Sequence, residues 1–331
     1  MSRYAAFARN VIQLGRETTP GIPVAANTVW RSKFSSLSDT EVQKIIDEQI
    51  GSLYGQEAVF TTMYGGELKT SDTPLTFEQI GHIFDAGWAK ATPTGSGPYT
   101  RVYEDDPSAS AQIATYTIEA GNFDAQADAQ RMSYAFVSEW QIGASAGEEW
   151  AMSASWIGRQ VVSNPLTSAV SVPEVQVAVL PMTRLYIDAS GGTVGTTLRS
   201  GVLMGASIKR VTGWKPVPIG DGTKTYAAIK QVAPEATFSL TFELEQVGSS
   251  SLVASERAAW RSKVARLFRL HIAGEDSSHD LIIDWCGRYS SVGAYENADG
   301  NTTVTLEGRM VYTPVDNLFM RATLVNPVAT Y

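Results

Sequence analysis

The chain has 331 residues, 44% of them hydrophobic and 18% charged, with a formal net charge of −8. That balance excludes a disordered polymer, and the negative sign excludes a surface built to hold nucleic acid by neutralising phosphates. A single cysteine, Cys286, excludes an intrachain disulfide and a cysteine-based zinc site.

The N-terminal stretch MSRYAAFARN lacks the apolar segment of a secretory leader, and no apolar run approaches the roughly 20 residues that span a bilayer. We therefore expect synthesis in a cytoplasm and no membrane span. Ser38 with Glu41 forms a capping box ahead of Val42, Ile45, Ile46 and Ile50, a stripe that predicts a short helix. A strand pair is expected around 57–68. A second capping box, Thr76 with Gln79, opens a helix that sets Phe77, Ile80, Phe84 and Trp88 along one side. The stretch 91–111 exceeds ordinary loop lengths and reads as irregular. A short strand at 114–118 follows. Then comes a hairpin in which Tyr134, Phe136, Trp140 and Ile142 share one face, as do Trp150, Met152, Ala154 and Trp156. It closes on Gly158-Arg159-Gln160-Val161.

The Pro- and Ser-punctuated stretch 161–174 reads as a linker, and 214–235 as a second long irregular segment. Phe238, Leu240, Phe242 and Leu244 alternate with polar residues, the pattern of a strand with one face in a core and one face wet. A helix begins near Ser255 with Trp260, Val264, Leu267 and Phe268 on one side. A short strand over 267–272 follows, then alternation through Leu281, Ile283, Trp285 and Tyr289, and again through Val304, Leu306 and Met310. This hairpin closes on Gly308-Arg309-Met310-Val311, close to the earlier ending. The tail after 317 reads as an extended arm, with Leu318, Phe319, Met320 and Tyr331 able to dock on a neighbour.

Both parts of the chain thus run strand pair, helix, short strand, hairpin, Gly-Arg-x-Val. The expected fold is mainly β: a duplicated antiparallel β-sandwich, each half flanked by one α-helix, with long loops and extended terminal arms. Residues 1–165 form the first sandwich with an N-terminal arm, and 166–331 the second with a C-terminal arm.

Catalytic patterns are poorly supported. Gly143-Ala144-Ser145-Ala146-Gly147 matches a nucleophile elbow, but that motif needs a strand turning into a helix, and here the following residues alternate as a strand. His82, His271 and His279 are scattered. Cys286 reads as a small buried hydrophobe. The acidic runs at 104–106 and 275–276 lack the spacing of a calcium loop, and Asn301-Thr302-Thr303 reads as a turn rather than a glycosylation site. We expect no enzyme, no metal and no cofactor.

Several stretches carry a resemblance. Val24-Ala25-Ala26 precedes Trp30, Gly51-Ser52-Leu53-Tyr54-Gly55 follows, and residues 111–121 read AQIATYTIEAG ahead of the hairpin ending at Val161. Over about 15–165 the chain resembles the tail tube (major tail) proteins of long-tailed bacteriophages; the second half matches by element order. The resemblance implies a virion protein of the larger, two-sandwich kind. Three chains would form a ring with pseudo-sixfold symmetry, and rings would stack into a tube for genome ejection. The implied partners are further copies of the chain, a tape-measure protein, the tail terminator and distal tail proteins, with double-stranded DNA passing through unbound.

An acidic lumen repels DNA and offers it no sites to stick. Glu119, Glu139, Glu243, Glu245 and Glu307 are candidates for that lining, and the same positions fit an ordinary wet sheet face. The basic side of the second helix, with Arg257, Arg261, Lys263, Arg266 and Arg269, is expected to face outward or an acidic neighbour. A reading from another class is a monomeric binding module, an adhesin or carbohydrate-binding sandwich, using exposed Trp88, Trp150 or Trp214 to stack on sugars.

Overall fold

Strict alternation of apolar and polar residues favours strands over helices along most of this chain. The computed structural model is accordingly mainly β, 52% strand against 9% helical. It describes residues 5–51, 53–54, 56–109, 111–244, 251–298 and 300–331. The first part runs β1 (Asn10–Arg16), β2 (Thr28–Val29), β3 (Ser38–Glu48), β4 (Gln56–Pro74), α1 (Ile80–Gly87), β5 (Tyr99–Glu104), β6 (Tyr116–Asn122), β7 (Gln130–Ser145), β8 (Ala151–Gly158) and β9 (Val161–Ser163). The second runs β10 (Thr183–Ala189), β11 (Leu203–Val211), β12 (Trp214–Pro218), β13 (Tyr226–Gln231) and β14 (Glu235–Glu243). It continues with α2 (Leu252–Ser262), β15 (Arg266–Ala273), β16 (Asp280–Ala298), β17 (Asn301–Met310) and β18 (Met320–Asn326).

The ladders are antiparallel. In the first part they run β1-β6-β7-β8-β4-β3. In the second they run β10-β15-β16-β17-β14-β11. Pairing of β7 with β11 joins the two series edge to edge. β7 changes partners along its length: 130–135 lie between β6 and β9, and 136–145 between β8 and β11. β16 does the same, with 280–287 against β15 and β18, and the remainder against β17. Each change coincides with a register shift, at Val137/Glu139 and Tyr289/Ser291. An extra residue there sharpens the twist and lets one strand serve two ladders.

The core on the apolar side of these ladders is rich in aromatic rings. Phe84, Trp88, Tyr103 and Trp140 pack together under α1, and Phe238, Phe268, Trp285 and Tyr289 under the second series. Phe77, Ile80, Phe84 and Trp88 are buried as their spacing predicts, and Thr76 Oγ1 accepts the Gln79 N–H at 3.3 Å. Helix α1 is buried on its remaining sides too. Its Asp85 carboxylate stands 3.1 Å from the Arg16 guanidinium, and Gly81 lies directly against the Tyr331 ring, where any side chain would collide. Helix α2 begins earlier than expected, with Ser251 Oγ accepting from the Ala254 N–H, and ends at Lys263 in the left-handed region. Leu267 and Phe268 belong to β15 rather than to this helix.

The two similar hairpin endings share one steric job. Gly158 leaves room for the Met132 side chain, and Gly308 for the ring of Phe238. The arginines that follow differ: Arg159 donates to the Tyr226 carbonyl at 2.9 Å and covers the Tyr134 ring, whereas Arg309 is exposed in the β17 ladder.

Several expectations need correction. Residues 38–48, expected as a helix, form β3, because β-branched Val42, Ile45 and Ile46 gain a ladder with β4 that an exposed helix would lack. The segments expected to be irregular carry strands: β5 within 91–111 pairs with β18, and the β12–β13 hairpin fills 214–231. Stretch 161–174 is docked, with Thr167 donating to Glu119 at 2.7 Å through its N–H. The C-terminal segment is not a free arm. β18 lies between β16 and β5, and Leu318, Met320 and Tyr331 are buried in their own chain, with Phe319 packed partly against the core.

Candidate functional site: a polar sheet face between two free edges

Residues directly opposite each other in an antiparallel ladder share a face, so the registers identify which side chains lie together across the junction of β7 and β11. One face holds Lys69, Ser155 and Glu139 in one row. A second row holds Ser153, Gln141, Lys209, Thr237 and Arg309. A third holds Gly143, Ser207, Ser239, Glu307 and Ser291. The opposite face carries Met152, Ile142, Ile208 and Phe238, which are core. A continuous polar face therefore spans β4, β8, β7, β11, β14, β17 and β16. It is Ser- and Thr-rich and carries charges of both signs: Glu139 stands 3.0 Å from Lys209, and Lys69 3.6 Å from Glu67, while Arg309 lies opposite Arg288.

Of the glutamates singled out from sequence, Glu139, Glu243 and Glu307 lie on this face; Glu307 is exposed and accepts from Ser291 Oγ at 2.9 Å. Glu119 does not. It is 2% exposed and accepts from the Thr167 N–H and hydroxyl at 2.7 and 3.0 Å, a role in pinning the segment after β9 to β6. Glu245 lies outside the described residues. The basic residues of the α2 region divide. Arg266 pairs with buried Glu256 at 3.3 Å and Arg269 with Asp284 at 2.6 Å, while Arg257 covers the Tyr295 ring.

The face ends at two strand edges. β3 pairs only with β4, and residues 291–298 of β16 pair only with β17 among the described residues. The β3–β4 hairpin also exposes Val42, Ile45, Ile46, Val59 and Phe60, and the turn beyond exposes Leu53 and Tyr54. Their concentration on one hairpin contrasts with the scattered apolar residues of an ordinary surface. From the sequence alone, Val42, Ile45 and Ile46, with Ile50, read as a helical stripe, and 57–68 as a strand pair.

Ser145 is the last residue of β7, opposite Gly205, and β8 rather than a helix follows it. His82 is buried beside Tyr116 and Trp30, and loss of hydration, with Arg16 and Arg101 nearby, lowers its pKa to about 3. His271 pairs with Asp280, and His279 with Glu78 and Asp276. Cys286 is buried near Thr313, and burial raises its thiol pKa. The tryptophans offered for sugar stacking are inside: Trp88 and Trp150 are 0% exposed and Trp214 is 7%. No helix among the described residues is long and apolar enough to cross a membrane.

No protein-family model matches this chain, and no curated protein matches its sequence.

Proposed function

We propose that the protein is a structural virion subunit that polymerises into stacked rings, forming a tail tube through which a phage genome leaves the particle. One observation carries the reading: the two ladder series repeat the same strand order and the same partner change, and they already join edge to edge through β7 and β11. A duplicated β-sandwich explains that repetition, and on this reading one chain supplies two neighbouring segments of a ring wall. Three chains then supply six, with pseudo-sixfold symmetry. The polar face, where Glu139, Glu243 and Glu307 lie, becomes the lining of the bore. Its mixed charges give DNA phosphates no basic surface on which to condense.

The turn beyond the β3–β4 ladder, where Leu53 and Tyr54 are exposed, supplies contact between rings. The remaining partners follow from the role: a tape-measure protein in the bore before ejection, and terminator and distal tail proteins at the tube ends, all within the virion. The reading assigns the chain no catalytic step. The adhesin reading loses its support with the burial of Trp88, Trp150 and Trp214. Negative-stain microscopy of the purified chain tests the proposal: rings or hollow tubes support it, and a persistent monomer at high concentration rejects it.

A further inference from the structure

Each ladder series has two ends, and the chain uses one of each kind. In the second series β11 is the outer strand beyond β14; in the first, β3 is the outer strand beyond β4. After its partner change, β7 runs beside β8 and offers its other edge; β16 runs beside β17 in the same way. Within the chain, the edge of β7 is filled by β11 over seven successive pairs, from Glu139–Val211 to Ser145–Gly205. Among the described residues, that leaves one edge of each kind unfilled, β3 and the 291–298 stretch of β16.

We propose that β3 of one copy pairs antiparallel with residues 291–298 of β16 in the next copy, reproducing between chains the β7–β11 junction that exists within one. This rests on the ring reading above and specifies the contact that would close the ring. The occupant is a second copy because the chain already contains the matching joint, and the contact is head-to-tail, the type that generates closed rings when its rotation closes. The local chemistry fits. One end of the internal joint meets across small residues, Gly143 and Ala144 opposite Ser207 and Ala206, and its other end across large ones; the β16 edge likewise offers Ser291, Gly293 and Ala294 beside Tyr295 and Glu296. Helix α1 packs on β7 without obstructing β11, and α2 packs on β16 in the corresponding way, with Trp260 Nε1 donating to the Ser290 carbonyl at 3.1 Å. Both free edges are exposed, and β3 adds Val42, Ile45 and Ile46, apolar groups that a monomer would leave wet. An unpaired edge of this length is a liability unless a specific partner takes it.

Paired cysteines test the contact in the full chain. Val42→Cys/Ala294→Cys is assembled, imaged and oxidised, with Thr40→Cys/Glu296→Cys as a second pair against misfolding or an offset register. The expected result is a shift from the 35.7 kDa chain to multiples of that mass on a denaturing gel. The two single variants mixed together should give linked dimers, whereas each alone should give none. Rings present without a shift from either pair would overturn this joint and leave the ring reading standing. Dimers from the β3 cysteine alone would overturn it as well, by showing edge-to-like-edge pairing. Linked pairs without closed rings would uphold the joint and reject the ring reading. Neither rings nor linked chains would reject both.

Discussion

Buried polar residues tie the first half of this molecule together, and His82 is the most consequential of them. Its ring sits between Tyr116, Trp30 and Tyr331, with Nδ1 3.2 Å from the tyrosine hydroxyl of Tyr116. Burial and the nearby Arg16 and Arg101 lower its pKa from 6.5 to about 3, so the folded chain holds it neutral. Between those two values the unfolded chain binds a proton that the folded chain refuses, and stability falls as pH drops. The expected contribution is a loss of about 1.4 kcal/mol per pH unit through that window. Urea unfolding of His82→Gln between pH 6 and 4 should show a slope shallower than wild type by about that amount. An unchanged slope would mean that the imidazole is solvated in the folded protein.

At the scale of elements, the C-terminal strand decides between an arm and a core component. β18 is hydrogen-bonded on both edges, and Met320, Ala322 and Leu324 are fully buried. Arg101 depends on this segment: it donates to the Val328 and Ala329 carbonyls at 2.7 and 2.9 Å and lies over the Tyr331 ring. Tyr331→Ala is therefore expected to cost about 3–5 kcal/mol, the range for removing a buried aromatic ring, read as a lowered denaturation midpoint. A free arm would instead give an unchanged midpoint and a polymerisation defect. The terminal LFMRATLVNPVATY carries little of this in its own sequence. It is too short to display a partner, and its strand identity comes from β16 and β5, which lie far away along the chain. The same cause hid β5 and the β12–β13 hairpin inside segments rich in Gly and Pro. By contrast, α1, the 134–158 hairpin and β14 were legible, because each carries several turns or alternations of large apolar residues. The β3 segment reads as a helix because Val42, Ile45 and Ile46 fit a helical stripe, and only the ladder to β4 distinguishes the two. The glutamates divide for a similar reason. Alternation identifies the wet side of a strand, but Glu119 sits where the 164–167 stretch covers that side.

Across the whole molecule, two ladder series of the same strand order join at β7 and β11, and each contains one of the two Gly-Arg-x-Val hairpin endings. A chain built this way presents a polar face of nearly constant character across both halves and exposes one unfilled edge of each kind. In the proposed assembly each chain occupies two adjacent positions in a closed wall. Native mass spectrometry of isolated rings, or averaged end-on images, counts the chains. Three copies of the 35.7 kDa chain per ring are expected, arranged with six similar wall segments in two alternating sets. Six copies per ring would contradict that arrangement, because only one half of each chain could then contribute to the wall.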